Sequence, residues 1–205
     1  MNFKIYYTQK RYKMKLFPIE NHILEDDDIS FSDENLNLTI KASISKIVSS
    51  LTIRRLSLMF DNKDIAFLKR VRDTLKSFIE KVMSKSSPEN THGLIMIRCH
   101  PPSDKFDEGR WHHDGPYFWH GLKENECVWK YAATFVGAGT LFQYKNKIIQ
   151  GNNKQGAAWK VGCGKDATLH SEPPFDAPRI FCSLLPCTKM QCKEIWPDNP
   201  WLEMF

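Results

Sequence analysis

The segment Trp111-His112-His113-Asp114-Gly115 places an imidazole and a carboxylate two residues apart. Successive side chains of an extended strand point to opposite faces, so residues two apart share a face. If this segment is extended, His112 and Asp114 project into the same space and His113 points the other way. The segment therefore predicts two neighbouring metal ligands, although a polar surface cluster near Trp111 and Tyr117 would give the same letters.

One imidazole and one carboxylate are two thirds of a 2-His-1-carboxylate triad, which is typical of non-haem Fe(II) sites with open coordination positions. His170 is the best candidate for the third ligand, because it lies well downstream where a predicted strand gives way to a proline-rich bend. The same ligands would accept zinc or another divalent metal. We expect His112, Asp114 and His170 to be both the metal ligands and the catalytic residues.

Arg179 follows His170 by nine residues. A guanidinium can bind a carboxylate through two parallel hydrogen bonds and stays charged at any relevant pH. Alternatively, Arg179 could pair with Asp176 or Glu172 at the rim of the site. Four other histidines fit the triad less well: His113 is expected to be packed or to support a ligand, and His92, His100 and His120 are expected to be structural.

The order His112-x-Asp114, His170, Arg179 resembles the Fe(II)- and 2-oxoglutarate-dependent dioxygenases, over about residues 94–186. Within that superfamily, the chain looks most similar to a small domain family of unknown function. The resemblance implies Fe(II), with 2-oxoglutarate as cosubstrate, and Arg179 as the partner of its distal carboxylate. It also implies an oxygenase that couples decarboxylation of 2-oxoglutarate to oxidation of a primary substrate, which could be a protein side chain, a nucleobase or a small molecule.

Lys130 and Thr134 are further candidates for cosubstrate binding, because members of the resembled family often use polar residues of this strand. They share one face of a predicted strand with the small Ala132, although plain packing inside a barrel would explain them equally well. Many family members carry a serine two residues after the arginine, where this chain has Phe181.

The chain of 205 residues, 41% hydrophobic and 26% charged, has the composition of a globular protein. An apolar stripe from Ile65 to Val82 predicts an amphipathic helix, with Asp61 or Asn62 as N-cap, and the spacing from Ile40 to Leu51 predicts another. A short strand is expected at residues 3–7. Downstream, many short strands with intervening turns predict a sandwich or barrel.

Together with the resemblance, these patterns predict an α+β fold: a double-stranded β-helix, of jelly-roll or cupin-like form, with N-terminal helices packed on one sheet. We expect a mainly helical lobe at residues 1–90, the catalytic core at 91–190 and an aromatic tail at 191–205. The tail would either fold back on the barrel or contact a partner.

The net charge of +5 is too mild to indicate nucleic acid by itself, so that partner is possible but weakly supported. Residues 1–17 lack the apolar centre of a signal peptide, and no apolar run is long enough to span a membrane. The six cysteines form no Cys-x-x-Cys pair. We therefore expect an intracellular, cytoplasmic protein with reduced thiols and no membrane partner.

Two other functions remain open at this point. A non-enzymatic binding module could keep the β-helix fold and bind a protein or nucleic acid on its outer face. A cupin-like metalloenzyme that does not use 2-oxoglutarate would keep His112, Asp114 and His170 but tolerate the loss of Arg179.

Overall fold

A computed structural model describes residues 14–19, 65–100, 110–114, 128–144, 146–151, 155–161, 167–174, 176–177 and 179–191, together with the backbone of 39–43. In chain order the elements are β1 (Met14–Pro18), β2 (Thr39–Ser43), α1 (Ile65–Met83), β3 (His92–His100), β4 (Val128–Val136), β5 (Leu141–Tyr144), β6 (Lys147–Gln150), β7 (Gln155–Val161), β8 (His170–Ser171) and β9 (Arg179–Cys187).

The strands form two antiparallel sheets. The larger sheet has six strands in the order β1-β7-β4-β9-β3-β2, and the smaller has three in the order β6-β5-β8. An isolated antiparallel bridge joins His112 to His170 of β8, so the segment around residue 112 runs beside the smaller sheet. Two strands from the predicted N-terminal lobe, β1 and β2, are the edge strands of the larger sheet.

The two faces of the larger sheet differ in character. One face packs into an apolar cluster with α1, and along the strands it presents alternate residues: Ile95, Ile97, Ala133, Phe135, Ile180, Cys182 and Leu184. The residues between them point the other way and include Arg98, Lys130, Trp159, Arg179 and Phe181. This alternation is the period of two that β-strands impose.

Helix α1 confirms the amphipathic helix predicted from the apolar stripe. Its buried side chains recur at helical spacing and are Phe67, Val71, Thr74, Leu75, Phe78, Ile79 and Val82. Phe78 meets Phe135 of β4 edge to face, with ring centroids 5.9 Å apart. Ile65, which the stripe included, is 83% exposed at the first residue of the helix, and the buried residues begin two positions later at Phe67.

The helix predicted between Ile40 and Leu51 is wrong at residues 39–43, which form strand β2. β2 pairs antiparallel with β3 from Thr39 opposite Arg98 to Ser43 opposite Leu94. Pairing with an available sheet edge here overrides the helical spacing of a short apolar pattern. The expected strand at residues 3–7, the N-cap at Asp61 or Asn62 and the aromatic tail lie outside the described residues, apart from position 191 of the tail.

The cysteines divide into two states. Cys99 and Cys182 are buried thiols outside any disulfide, whereas Cys187, at the end of β9, is disulfide-bonded. The expectation that all thiols are reduced is therefore wrong for Cys187. Within the described part of the chain, no helix combines the length and apolarity needed to cross a membrane.

Candidate metal centre

The bridge between His112 and His170 sets the geometry of the site. The amide of His112 donates to the carbonyl of His170 over 2.9 Å, and the amide of His170 donates back over 3.0 Å. Such a pair of residues lies directly opposite in an antiparallel ladder, so the side chains emerge beside each other. The two imidazole rings are 4.3 Å apart between centroids.

Asp114 completes the predicted triad. Its Oδ1 lies 3.9 Å from Nε2 of His112, and its Oδ2 lies 3.6 Å from Nε2 of His170. One ligand atom from each of the three residues falls within 4.8 Å of the others. Asp114 and His170 are 4% and 5% exposed, while His112 is exposed. The structure thus brings together all three residues that the sequence nominated.

The hydrogen bonds of the two histidines determine which ring nitrogen is free. Nδ1 of His112 lies 2.7 Å from the carbonyl oxygen of Arg110, and Nδ1 of His170 lies 3.0 Å from that of Thr168. Because a carbonyl only accepts, each Nδ1 carries the hydrogen, and each Nε2 of the neutral ring offers a lone pair. A backbone carbonyl that orients a metal-ligating imidazole is a common supporting contact.

The protonation states also suit a metal. Burial lowers the pKa of His170 to about 4, so its ring is neutral at neutral pH. Burial alone would raise the pKa of Asp114, but the ammonium of Lys130 and the hydrogen bonds to the carboxylate hold that pKa below its usual value. Imidazole nitrogens together with an ionised carboxylate form a donor set that Fe(II) and other divalent metals accept.

Lys130, predicted to contact the cosubstrate, contacts the triad and also lines the cavity. Its Nζ donates to Oδ2 of Asp114 over 3.0 Å, and the indole Nε1 of Trp159 donates to the same oxygen over 3.1 Å. Thr134 is buried on the same face of β4. It is not among the described residues that line the cavity around the triad.

Arg179 is 2% exposed and lies inside the protein. Its Nε donates to the carbonyl of Ala138 over 3.0 Å, and its Nη2 donates to Oγ1 of Thr140 over 3.2 Å. Ala138 follows Gly137, whose φ of 76° lies in the left-handed region that glycine tolerates, so the turn presents its carbonyl to the arginine. Burial lowers the pKa of Arg179 to about 10, which leaves it charged at neutral pH.

A cavity of about 220 Å³ connects the triad with Arg179. It is lined by Met96, Arg98, His112, Asp114, Lys130, Thr140, Trp159, His170, Glu172, Arg179 and Phe181. Glu172 faces two other arginines: its Oε1 is 3.8 Å from Arg98 and its Oε2 is 3.6 Å from Arg110. The candidate metal ligands and a buried guanidinium therefore share one chamber, with an arginine–glutamate cluster beside them.

Among the described histidines, neither His92 nor His113 enlarges the ligand set. His113 is exposed, which fits its position on the opposite face but not the expectation that it is packed. Nδ1 of His92 lies 2.8 Å from the hydroxyl of Thr91. The side chain of His100 and all of His120 lie outside the described residues.

Sequence reasoning missed Trp159, Thr140 and Arg98. Trp159 looks like any aromatic residue of a buried strand, and only the register of β7 against β4 places it beside the triad. Arg98 alternates with Ile97 and Cys99 in an apolar run, and a charge at an inward position of such a strand was the available signal. Thr140 carried no signal, because its partner lies on a distant strand.

Comparison with known proteins gave matches among solved structures alone: no family model matches the chain, and no curated protein does. A viral collagen prolyl hydroxylase from Paramecium bursaria Chlorella virus-1 aligns with 90% of this chain and 98% of its own, at 8% identity and a TM-score of 0.40. The rice dioxygenase for auxin oxidation aligns over 79% of this chain and 60% of its own, at 8% identity and a TM-score of 0.46.

A prolyl hydroxylase from Trichoplax adhaerens covers 82% of this chain, at 12% identity and a TM-score of 0.38. At such low similarity, no conclusion about the function of this chain is drawn from these neighbours. Any such conclusion depends on the chain's own residues. The convergent His112, Asp114 and His170, in the order His-x-Asp…His, fit the Fe(II)- and 2-oxoglutarate-dependent oxygenase superfamily.

Proposed function

We propose that this chain is an Fe(II)- and 2-oxoglutarate-dependent oxygenase that couples decarboxylation of 2-oxoglutarate to oxidation of a primary substrate. The observation that carries the proposal is one chamber of about 220 Å³ that holds both the candidate metal ligands and a buried arginine. A keto acid with a carboxylate at its far end needs both features, a metal to chelate and a cation to receive that carboxylate.

The strand order supports a double-stranded β-helix as the underlying fold. After β3, the chain passes to the segment at His112, returns to β4 in the larger sheet, then enters β5 and β6 of the smaller sheet. It returns again to β7, crosses to β8 and ends in β9 of the larger sheet. This repeated alternation between two sheets is how a jelly-roll barrel is built.

The proposed roles follow from the contacts. His112, Asp114 and His170 would hold Fe(II), which when bound supplies the oxygen chemistry. Arg179 would bind the distal carboxylate of 2-oxoglutarate, and Thr140, which accepts a hydrogen bond from Arg179, would orient the guanidinium. Phe181 stacks against that guanidinium at 4.7 Å from the ring centroid and limits the access of water to it.

Calorimetry with Mn(II)-loaded protein tests the proposal without a known primary substrate. 2-Oxoglutarate is expected to bind the Mn(II) protein and to lose most of its affinity in apo protein and in His170→Ala. Glutarate has both carboxylates but no keto group to complete the chelate, and it is expected to bind far more weakly. Equal binding of the two acids would contradict a chelating cosubstrate.

A cupin-like metalloenzyme is the second candidate, and the bonds of Arg179 to Ala138 and Thr140 favour it, because they give this arginine a structural role that needs no cosubstrate. In that case Mn(II) would bind normally and 2-oxoglutarate would not. If neither Mn(II) nor 2-oxoglutarate binds, the chain is a binding module that keeps the fold without the chemistry.

A further inference from the structure

Trp159 contacts both of the buried candidate ligands, Asp114 and His170. It is 1% exposed on β7, and its indole Nε1 donates to Oδ2 of Asp114 over 3.1 Å. Its ring centroid is 5.1 Å from that of His170 and 5.3 Å from that of Phe142. One side chain thus contacts two of the three candidate ligands by different means.

Lys130 acts on the same carboxylate oxygen. Its Nζ lies 3.0 Å from Oδ2 of Asp114 and 5.1 Å from the centroid of the Trp159 ring. The backbone explains the arrangement, because Lys130 of β4 and Trp159 of β7 are directly opposite in the antiparallel register. Cross-strand partners project on the same face with Cβ atoms close together, so the two donors arrive side by side.

Two donors on one oxygen restrict how the carboxylate can turn. An ionised carboxylate has two oxygens with about four acceptor positions. With Oδ2 engaged by Lys130 and Trp159, Oδ1 is directed toward His112, whose Nε2 is 3.9 Å away. Hydrogen-bonded partners of metal ligands fix ligand orientation in this way, and their loss typically weakens metal affinity by about 10- to 100-fold.

We propose that Trp159 and Lys130 are positioning residues that preassemble the metal centre: they hold Asp114 through Oδ2, and the Trp159 ring keeps His170 in place. The inference rests on the metal site of the proposed function but not on its cosubstrate. It also gives Lys130 a role beside the contact with 2-oxoglutarate that the sequence had suggested.

The test is an anaerobic titration with Co(II), followed by calorimetry and by the visible d–d spectrum. Trp159→Phe keeps an aromatic ring and removes the N–H, and Lys130→Met keeps the length of the side chain and removes the ammonium. Each is expected to weaken Co(II) binding by about 10- to 100-fold and to alter the spectrum. Trp129→Phe is the matched control, because Trp129 packs against the opposite cluster and faces Lys15 and Lys160.

The double variant separates positioning from simple core filling. Two residues that act through one oxygen are coupled, so the loss in the double variant is expected to depart from the product of the two single losses by at least about twofold. Circular dichroism of the metal-free variants checks that each one is folded, so that a lower Co(II) affinity reports the metal site. If Trp159→Phe fails to fold, Lys130→Met alone decides.

The inference would be overturned if both single variants bound Co(II) with an affinity within twofold of wild type and gave an unchanged d–d spectrum. That result is distinct from a failure of the oxygenase proposal, which shows itself as normal Co(II) or Mn(II) binding without binding of 2-oxoglutarate. A wild-type protein that binds no divalent metal overturns both.

Discussion

The two faces of the six-stranded sheet come from the same strands and have opposite chemistry. In β4, Ala133 and Phe135 belong to the apolar cluster under α1, whereas Lys130 points to the triad. In β9, Ile180 and Cys182 face the helix, and Arg179 and Phe181 face the cavity. A single residue step moves a side chain from one environment to the other.

Comparing the two faces shows that one contributes mainly to stability and the other carries the groups of the candidate site. The helix-side face is built of apolar groups whose burial stabilises the fold. The cavity-side face buries charged groups, which cost free energy unless each finds a partner. In the cavity that this face lines, Asp114 has two donors and Arg179 has two acceptors, so the charges are compensated inside the protein. Substitutions on the two faces should therefore fail in different ways.

Phe135→Ala is expected to give the largest effect on stability. Phe135 is buried and packs edge to face on Phe78, so truncation leaves a cavity that costs about 3–5 kcal/mol in the free energy of unfolding. Urea denaturation measures the loss, and the folded fraction should keep its affinity for Mn(II). Thr134→Val, on the opposite face of the same strand, should cost less than about 2 kcal/mol. Equal losses for the two variants would contradict the division of the faces.

Arg179→Gln is expected to weaken binding of 2-oxoglutarate to the Mn(II) protein by at least about 30-fold. That factor corresponds to about 2 kcal/mol, the lower end of the range for truncating one partner of a buried charged pair. Calorimetry gives the affinity, with Mn(II) binding itself unchanged. Arg98→Gln is the control on the same face, and because Arg98 is partly exposed its effect should stay within about threefold. Similar losses in both variants would mean that the cavity attracts the anion by overall charge.

The buried thiols on the helix side are expected to resist alkylation. Burial raises the pKa of Cys99 to about 12, and both burial and Cys99 raise the pKa of Cys182. Because the folded state keeps these protons above the ordinary pKa of 9.0, the stability that the thiols contribute is complete below that pH and is lost as pH rises toward 12.

Iodoacetamide at pH 8.5, followed by peptide mass spectrometry, should leave Cys99 and Cys182 unmodified in folded protein and modified in urea. Rapid modification of either thiol in the folded protein would show that this face opens to solvent.

Ile65→Lys is expected to have the smallest effect. Ile65 is 83% exposed at the start of α1, so a charged residue there should change the free energy of unfolding by less than about 0.5 kcal/mol. Val71→Lys, at a buried position of the same helix, is the contrasting variant and should prevent stable folding. A large loss for Ile65→Lys, measured by urea denaturation, would mean that the buried face of α1 begins earlier.

Much of the fold could be predicted from local pattern. The strand that carries Lys130 and Thr134 was predicted, since its aromatic and β-branched residues are local signals, and it is β4 in the structure. The helix over residues 65–83 followed from its apolar stripe. β2 was missed because its conformation depends on pairing with β3, and nothing in the local sequence indicates that contact.

The candidate site divides in the same way. The three candidate metal ligands were predicted from spacing and order, because strand geometry places His112 and Asp114 on one face and the triad needs one more imidazole. The supporting residues Trp159 and Thr140 could not be predicted from spacing, because they reach their partners only through the packing of separate strands. For the same reason the hydrogen bond of Lys130 to Asp114 was not predicted, although the face of Lys130 was; its contact with a cosubstrate stays a prediction.

The most direct test of a combined metal and keto-acid site is the visible spectrum of anaerobic protein loaded with Fe(II) and titrated with 2-oxoglutarate. Wild-type protein is expected to develop the metal-to-ligand charge-transfer band of a chelated 2-keto acid. His170→Ala should lose the band, and Arg179→Gln should need much more 2-oxoglutarate to reach it. Iron binding without any band in the wild-type protein would contradict the claim that triad and arginine serve one cosubstrate.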